Sequence, residues 1–130
     1  MTEKGYEIRI EERDGYLYVW FCAEVNRLDI VIDYGNDIAN AVRRTGQTNV
    51  LFENHAPILF DRQAYQIASA ALRNSIQGPA RIAVLDQYSN NTNYFAAATE
   101  AARSVGLDAR YFDTTESAES WLRSGSESKL

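Results

Sequence analysis

The residues best suited to chemistry in this 130-residue chain are few. His55 is the only histidine and Cys22 the only cysteine; Glu53 stands two positions before the histidine, and Asp86 closes the apolar run Ile82-Ala83-Val84-Leu85. If both segments are parallel strands, their carboxyl ends bring Glu53, His55 and Asp86 to one rim of the sheet, where α/β proteins form binding crevices. Two carboxylates and an imidazole are ligands for a divalent cation, or partners in acid–base transfer. Strand ends are polar wherever a chain leaves a core, so solvated loop residues are the ordinary reading of the same three. Tyr88, Asn90 and Asn91, with the free amides of a helix start after them, extend that rim into a candidate ligand-binding site. The ordinary role of Asn90-Asn91-Thr92 is helix capping.

Other catalytic patterns are absent. The chain has no G-x-G-x-x-G, no G-x-x-x-x-G-K and no G-x-S-x-G, and its only lysines, Lys4 and Lys129, stand near the termini, which removes the phosphate-binding lysine of a P-loop. Asp86 as a phosphoacceptor lacks an adjacent acidic pair and a strand-end lysine. Cys22 pairs on paper with Glu7, which keeps a thiol protonated rather than activating it. The expectation is a protein that is not an enzyme, with no catalytic residue, no metal and no cofactor. A distant alternative is an enzyme using Glu53, Asp86 and His55.

Thirteen basic residues against eighteen acidic ones give a net charge of −5, which opposes the counterion release that drives nucleic-acid binding. Nucleic acid and anionic membrane surfaces are therefore poor partners. No apolar run approaches the roughly 20 residues that span a bilayer, which argues against an integral membrane protein. The polar start and the single cysteine point to a cytoplasmic protein without disulfides. The length suits one domain over residues 1–123, able to bury about two thirds of its unfolded surface, with the Ser- and Gly-rich residues 124–130 as a flexible tail.

The elements that position these residues start with a hairpin. Tyr6 to Glu12 and Tyr16 to Cys22 are strand-like runs, and Asp14-Gly15 is a two-residue turn signal. With that turn, Ile10 pairs with Val19, Ile8 with Phe21 and Tyr6 with Ala23 on an apolar face. The other face pairs Glu11 with Tyr18, Arg9 with Trp20 and Glu7 with Cys22. Arg9, Arg13, Tyr16, Tyr18 and Trp20 on that second face are the residue types enriched at protein interfaces, and they form the candidate partner surface of a homodimer. The competing account is that a helix or the tail covers this face, or that Arg9 stacks on Trp20 within the molecule.

After the hairpin, Asn26 caps a helix whose stripe is Leu28, Val31, Gly35, Ile38 and Val42, ended by Gly46, although Leu28 to Ile32 also reads as strand. Asn49 to Glu53 is the third strand. Asp61 caps a helix burying Ala64, Ile67, Ala68, Ala71 and Leu72, stopped by Gly78-Pro79. Arg81 to Asp86 is the next strand. Tyr94, Phe95, Ala98, Ala101, Ala102 and Val105 recur at helical spacing as far as Gly106. Ala109 to Phe112 is the last strand, and Asp113 with Glu116 is a start signal for a final helix holding Ala118, Trp121 and Leu122.

The order β-β-α-β-α-β-α-β-α, the Asp-Gly hairpin in front and the ending Phe112-Asp113…Glu116…Ala118…Trp121-Leu122 resemble the SpoIIAA-like branch of the STAS-domain superfamily over about residues 6 to 122. The resemblance implies an α/β domain with a mixed sheet and helices mainly on one face. It also implies a regulatory module acting through protein contacts, or alternatively a carrier or sensor of a lipid or small apolar ligand. Anti-sigma-factor antagonists of the superfamily carry a phosphorylatable serine at the start of the helix after the third strand. Phe60-Asp61-Arg62-Gln63 stands there and has no hydroxyl, so Asp61 matches the phosphosite region without the phosphoswitch.

Overall fold

The hairpin forms as the turn chemistry dictates. β1 (Glu7–Arg13) and β2 (Tyr16–Cys22) are antiparallel, with Ile10 opposite Val19, Arg9 opposite Trp20 and Glu7 opposite Cys22. Gly15 takes the positive φ of 90° that the tight turn needs. The computed structural model describes residues 5–57, 62–86 and 92–124, and for 86 and 92–97 the backbone alone.

The chain continues as α1 (Leu28–Thr45), β3 (Asn49–His55), α2 (Arg62–Ser75), β4 (Arg81–Asp86), α3 (Thr92–Ser104), β5 (Asp108–Phe112) and α4 (Thr115–Ser124). Strand order is β1-β2-β3-β4-β5. Only the β1–β2 pair is antiparallel; the other three pairs are parallel, each joined through a helix.

Strand parity then divides the residues between two cores. On one face Tyr6, Leu17, Val19, Phe21, Val50, Ile82, Val84 and Ala109 meet Ile30, Val31, Tyr34, Ile38 and Val42 of α1, with Ala64 of α2 and Ala102 of α3. On the other, Tyr16, Leu51, Ala83 and Leu85 are sealed by Ala118 and Leu122 of α4. Three helices thus pack on one side and α4 alone on the other.

Several local expectations shift. Asn26 does not cap α1: Arg27 occupies the cap position with no side-chain bond, while Asn26 donates through Nδ2 to the Pro57 carbonyl at 3.2 Å. The helix expected over Leu28 to Ile32 is present, but Leu28 of its stripe is exposed whereas Ile30, Val31 and Tyr34 are buried. α4 is capped by Thr114, whose Oγ1 accepts from the Ser117 amide at 3.2 Å, one residue after the expected Asp113. α2 buries only Ala64, with Ile67 exposed and Ala68, Ala71 and Leu72 partly buried. Gly35 explains how close α2 can come. A Cβ at that position would lie 2.8 Å from the Ala68 Cβ, so the missing side chain is what lets the two helix backbones touch. Asp61 and the tail 125–130 lie outside the described residues.

Candidate functional site

Parity sends Tyr18, Trp20, Cys22, Glu53 and His55 to the sheet face that carries α4, with Trp20 opposite Glu53 and Cys22 opposite His55. α4 packs over β3, β4 and β5, and among the described residues no helix covers the β1–β2 side of this face. There Glu53 is held from both sides. Tyr18 donates its hydroxyl to Oε1 at 2.5 Å, and His55 Nε2 donates to Oε2 at 2.6 Å. Trp20 lies against the His55 ring, centroids 5.3 Å apart. Burial, then the Glu53 carboxylate, pushes the Tyr18 phenol well above its usual range, so it remains a donor.

The cations of the first strand lie over these rings. Arg9 Cζ is 4.7 Å from the Trp20 centroid and Arg13 Cζ 3.9 Å from that of Tyr18. Arg9 also bonds Glu7 at 2.9 Å and Arg13 bonds Glu11 at 3.0 Å. The intramolecular cation–π pair weighed for Arg9 and Trp20 is therefore present, while Trp20 and Tyr18 stay half-exposed.

Tyr16 departs from the candidate surface. It is fully buried under α4, its hydroxyl bonded to Glu119, because α4 crosses the carboxyl-proximal side of the hairpin turn, where Arg123 reaches back to the Asp14 carbonyl. Of the aromatic row, Tyr16 alone is fully buried, while Tyr18 is partly buried against the same cluster.

Of the expected rim, Glu53 and His55 come together. The backbone of Asp86 pairs with Asn54, whereas Glu53 pairs with Leu85; Asp86 is thus one position out of step with Glu53. The Asp86 side chain and residues Tyr88, Asn90 and Asn91 lie outside the described residues. Both Glu53 oxygens already accept hydrogen bonds, an arrangement that fixes the carboxylate in place. Among the described residues no three His, Cys, Asp or Glu side chains converge as a metal site, and no helix is long and apolar enough to cross a membrane.

A cavity lies on the opposite face, between the sheet and α1, α2 and α3. Its volume is about 110 Å³, and its lining includes Tyr34, Phe52, Asn54, Tyr65, Leu72 and Thr99. Sequence reasoning missed it, because an amphipathic α2 was expected to press onto the sheet. The available signal was the run of small residues Ala68 and Ser69 on α2 with Ala98 and Ala102 on α3, all of which face this space. Small side chains on helices held apart by their neighbours leave room.

No protein-family model and no curated protein matches the chain. Among solved structures, the crystal structure of an anti-sigma factor antagonist from Mycobacterium paratuberculosis is similar over 94% of this chain and 97% of its own, with a TM-score of 0.62 at 14% identity. With the strand order and the placement of the helices, that likeness shows that this chain has the same STAS-like α/β fold as that protein.

Proposed function

We propose that the protein is a non-enzymatic, cytoplasmic regulatory module that acts through protein contacts and pairs with a second copy through the sheet face around Trp20. The observation that carries this reading is the row of exposed Arg9 with partly buried Trp20, Arg13 and Tyr18 on the side of the sheet face away from α4. Aromatic rings and arginines are the groups whose burial dominates interface energetics. Along β1, Glu7, Arg9, Glu11 and Arg13 alternate in sign on this face. A two-fold related copy can therefore set arginine against glutamate across the axis without like charges meeting. The fold is one that an anti-sigma factor antagonist uses, which supports a module working by contact. Phe60-Asp61-Arg62-Gln63 offers no hydroxyl at the phosphosite region, so the contact is not switched by phosphorylation there.

Sedimentation velocity on the wild type and on Trp20→Glu tests this reading. The wild type should sediment as a dimer at micromolar concentration and the variant as a folded monomer by circular dichroism. A wild type that stays monomeric throughout, or a Trp20→Glu protein that still dimerises, overturns it.

A further inference from the structure

The cavity beneath α2 has the composition of a binding site for a neutral molecule. Its described lining contains no Asp, Glu, Lys, Arg or His, so the described walls offer a charged ligand no counter-charge and favour a neutral one. The walls are aromatic and aliphatic. Tyr34 and Phe52 stack with centroids 5.3 Å apart, and Tyr65 stands on the α2 side. Burial pushes the Tyr34 phenol far above its usual range, so this wall too is uncharged at any physiological pH.

The cavity also has a direction. Val50, Phe52 and Asn54 share one face of β3 and all line it; the four residue steps from Val50 to Asn54 make a slot roughly 13 Å long. The Val50 end is aliphatic, with Leu107 and Ala109 beside it. At the other end stand the amides of Asn54 and Asn26, which also hold the carbonyls of Ala56 and Pro57. A volume of about 110 Å³ approaches the roughly 150 Å³ of an engineered apolar cavity that takes up benzene.

We infer that this slot binds a small neutral molecule, a single aromatic ring carrying one hydroxyl, with the ring against Phe52 and Tyr34 and the hydroxyl at the Asn54 end. The partly buried state of Ala68, Ser69 and Leu72 on α2 is then the unfilled wall of a site. This inference is independent of the dimer contact, which lies on the other face of the sheet.

Titration of the full-length protein with phenol and with toluene, followed by amide and methyl NMR, tests it. Saturable shifts centred on Leu72, Ala98, Ala102 and Val84 are expected, with phenol about five- to tenfold tighter than toluene, the increment of one net hydrogen bond. Ser69→Phe should fill the slot and abolish both sets of shifts, and Leu72→Ala should admit a larger ring such as naphthol. Should Ser69→Phe fail to fold, the Leu72→Ala result decides. Absence of saturable shifts in the folded wild type, or shifts centred on Trp20 instead, overturns the site. Equal affinity for the two probes overturns its polar end.

Discussion

Gly35→Ala separates local propensity from tertiary packing. In an isolated helix, alanine is more favourable than glycine by about 1 kcal/mol, so α1 considered alone predicts stabilisation. In the folded protein the new Cβ would lie 2.8 Å from the Ala68 Cβ and 3.2 Å from the Ala68 Cα. Carbon atoms prefer about 3.5–4.0 Å, and neither an alanine methyl nor a helix backbone can rotate out of the way. α2 would have to retreat by most of an ångström, and overpacking of this kind costs about 1–3 kcal/mol. Placed in the upper half of that range because the obstacle is rigid, the clash outweighs the propensity gain, for a net loss of about 1–2 kcal/mol. Urea unfolding should show it as a lower midpoint at unchanged slope, and thermal unfolding as a drop of roughly 3–6 °C for a domain of this size. Ala68→Gly alone should cost about 1 kcal/mol, but in combination it removes the 2.8 Å contact. The double variant should then be more stable than the sum of the single effects by about 1–2 kcal/mol. A stabilised Gly35→Ala protein, or strictly additive effects, would refute the close approach of α1 and α2.

Tyr16 and Trp20 sit four residues apart on the same sheet face and should respond differently to truncation. Tyr16→Ala empties a fully buried site under α4 and removes the Tyr16–Glu119 hydrogen bond, costing about 3–4 kcal/mol, whereas Trp20→Ala should cost about 1 kcal/mol or less in the monomer; equal losses in denaturant melts would mean that α4 does not lie as described. The phenols of Tyr6, Tyr16, Tyr18 and Tyr34 are all raised above the ordinary value of 10.0, chiefly by burial, with the carboxylates of Asp37, Glu119 and Glu53 adding to the first three. Their neutral forms are therefore favoured in the fold. The unfolded chain binds fewer protons once pH passes about 10, so the contribution of these phenols to stability is constant below that pH and is lost above it. Phenolate absorbance should show these four ionising only as circular dichroism is lost; reversible ionisation of all eight tyrosines in a folded protein would contradict it.

What the sequence determined by itself was whatever follows from neighbours along the chain. Asp14-Gly15 sets the hairpin register, and the period of two then assigns Ile10 and Val19 to one face and Arg9 and Trp20 to the other, as found. The alternation of apolar runs with helical stripes gives the element order, and the buried run Ile82 to Leu85 gives a central parallel strand. The cap positions were legible only to within a residue, because Asp113 and Thr114 are both good caps and the choice between them depends on how α4 seats on Leu51, Ala83 and Leu85.

Which side of the sheet each helix covers was decided by tertiary structure. Tyr16 is core and Trp20 half-exposed because α4 is ten residues long and ends over the hairpin turn, a fact about where a distant helix lands. The Tyr18–Glu53–His55 chain depends on β2 and β3 being parallel neighbours in one particular register, and no spacing along the sequence fixes that. Asp86 reads beside Glu53 as a strand end, yet its backbone pairs with Asn54, since convergence at a rim depends on stagger as well as strand order. The cavity depends most on the assembled molecule. Its volume is what remains between the sheet and helices α1, α2 and α3 when Gly35 lets α2 close against α1, with Tyr34 and Phe52 among its walls, and it joins residues more than thirty positions apart in some pairs and fewer than twenty in others. Local sequence encodes the shape of each element; the space between elements exists only once they are packed.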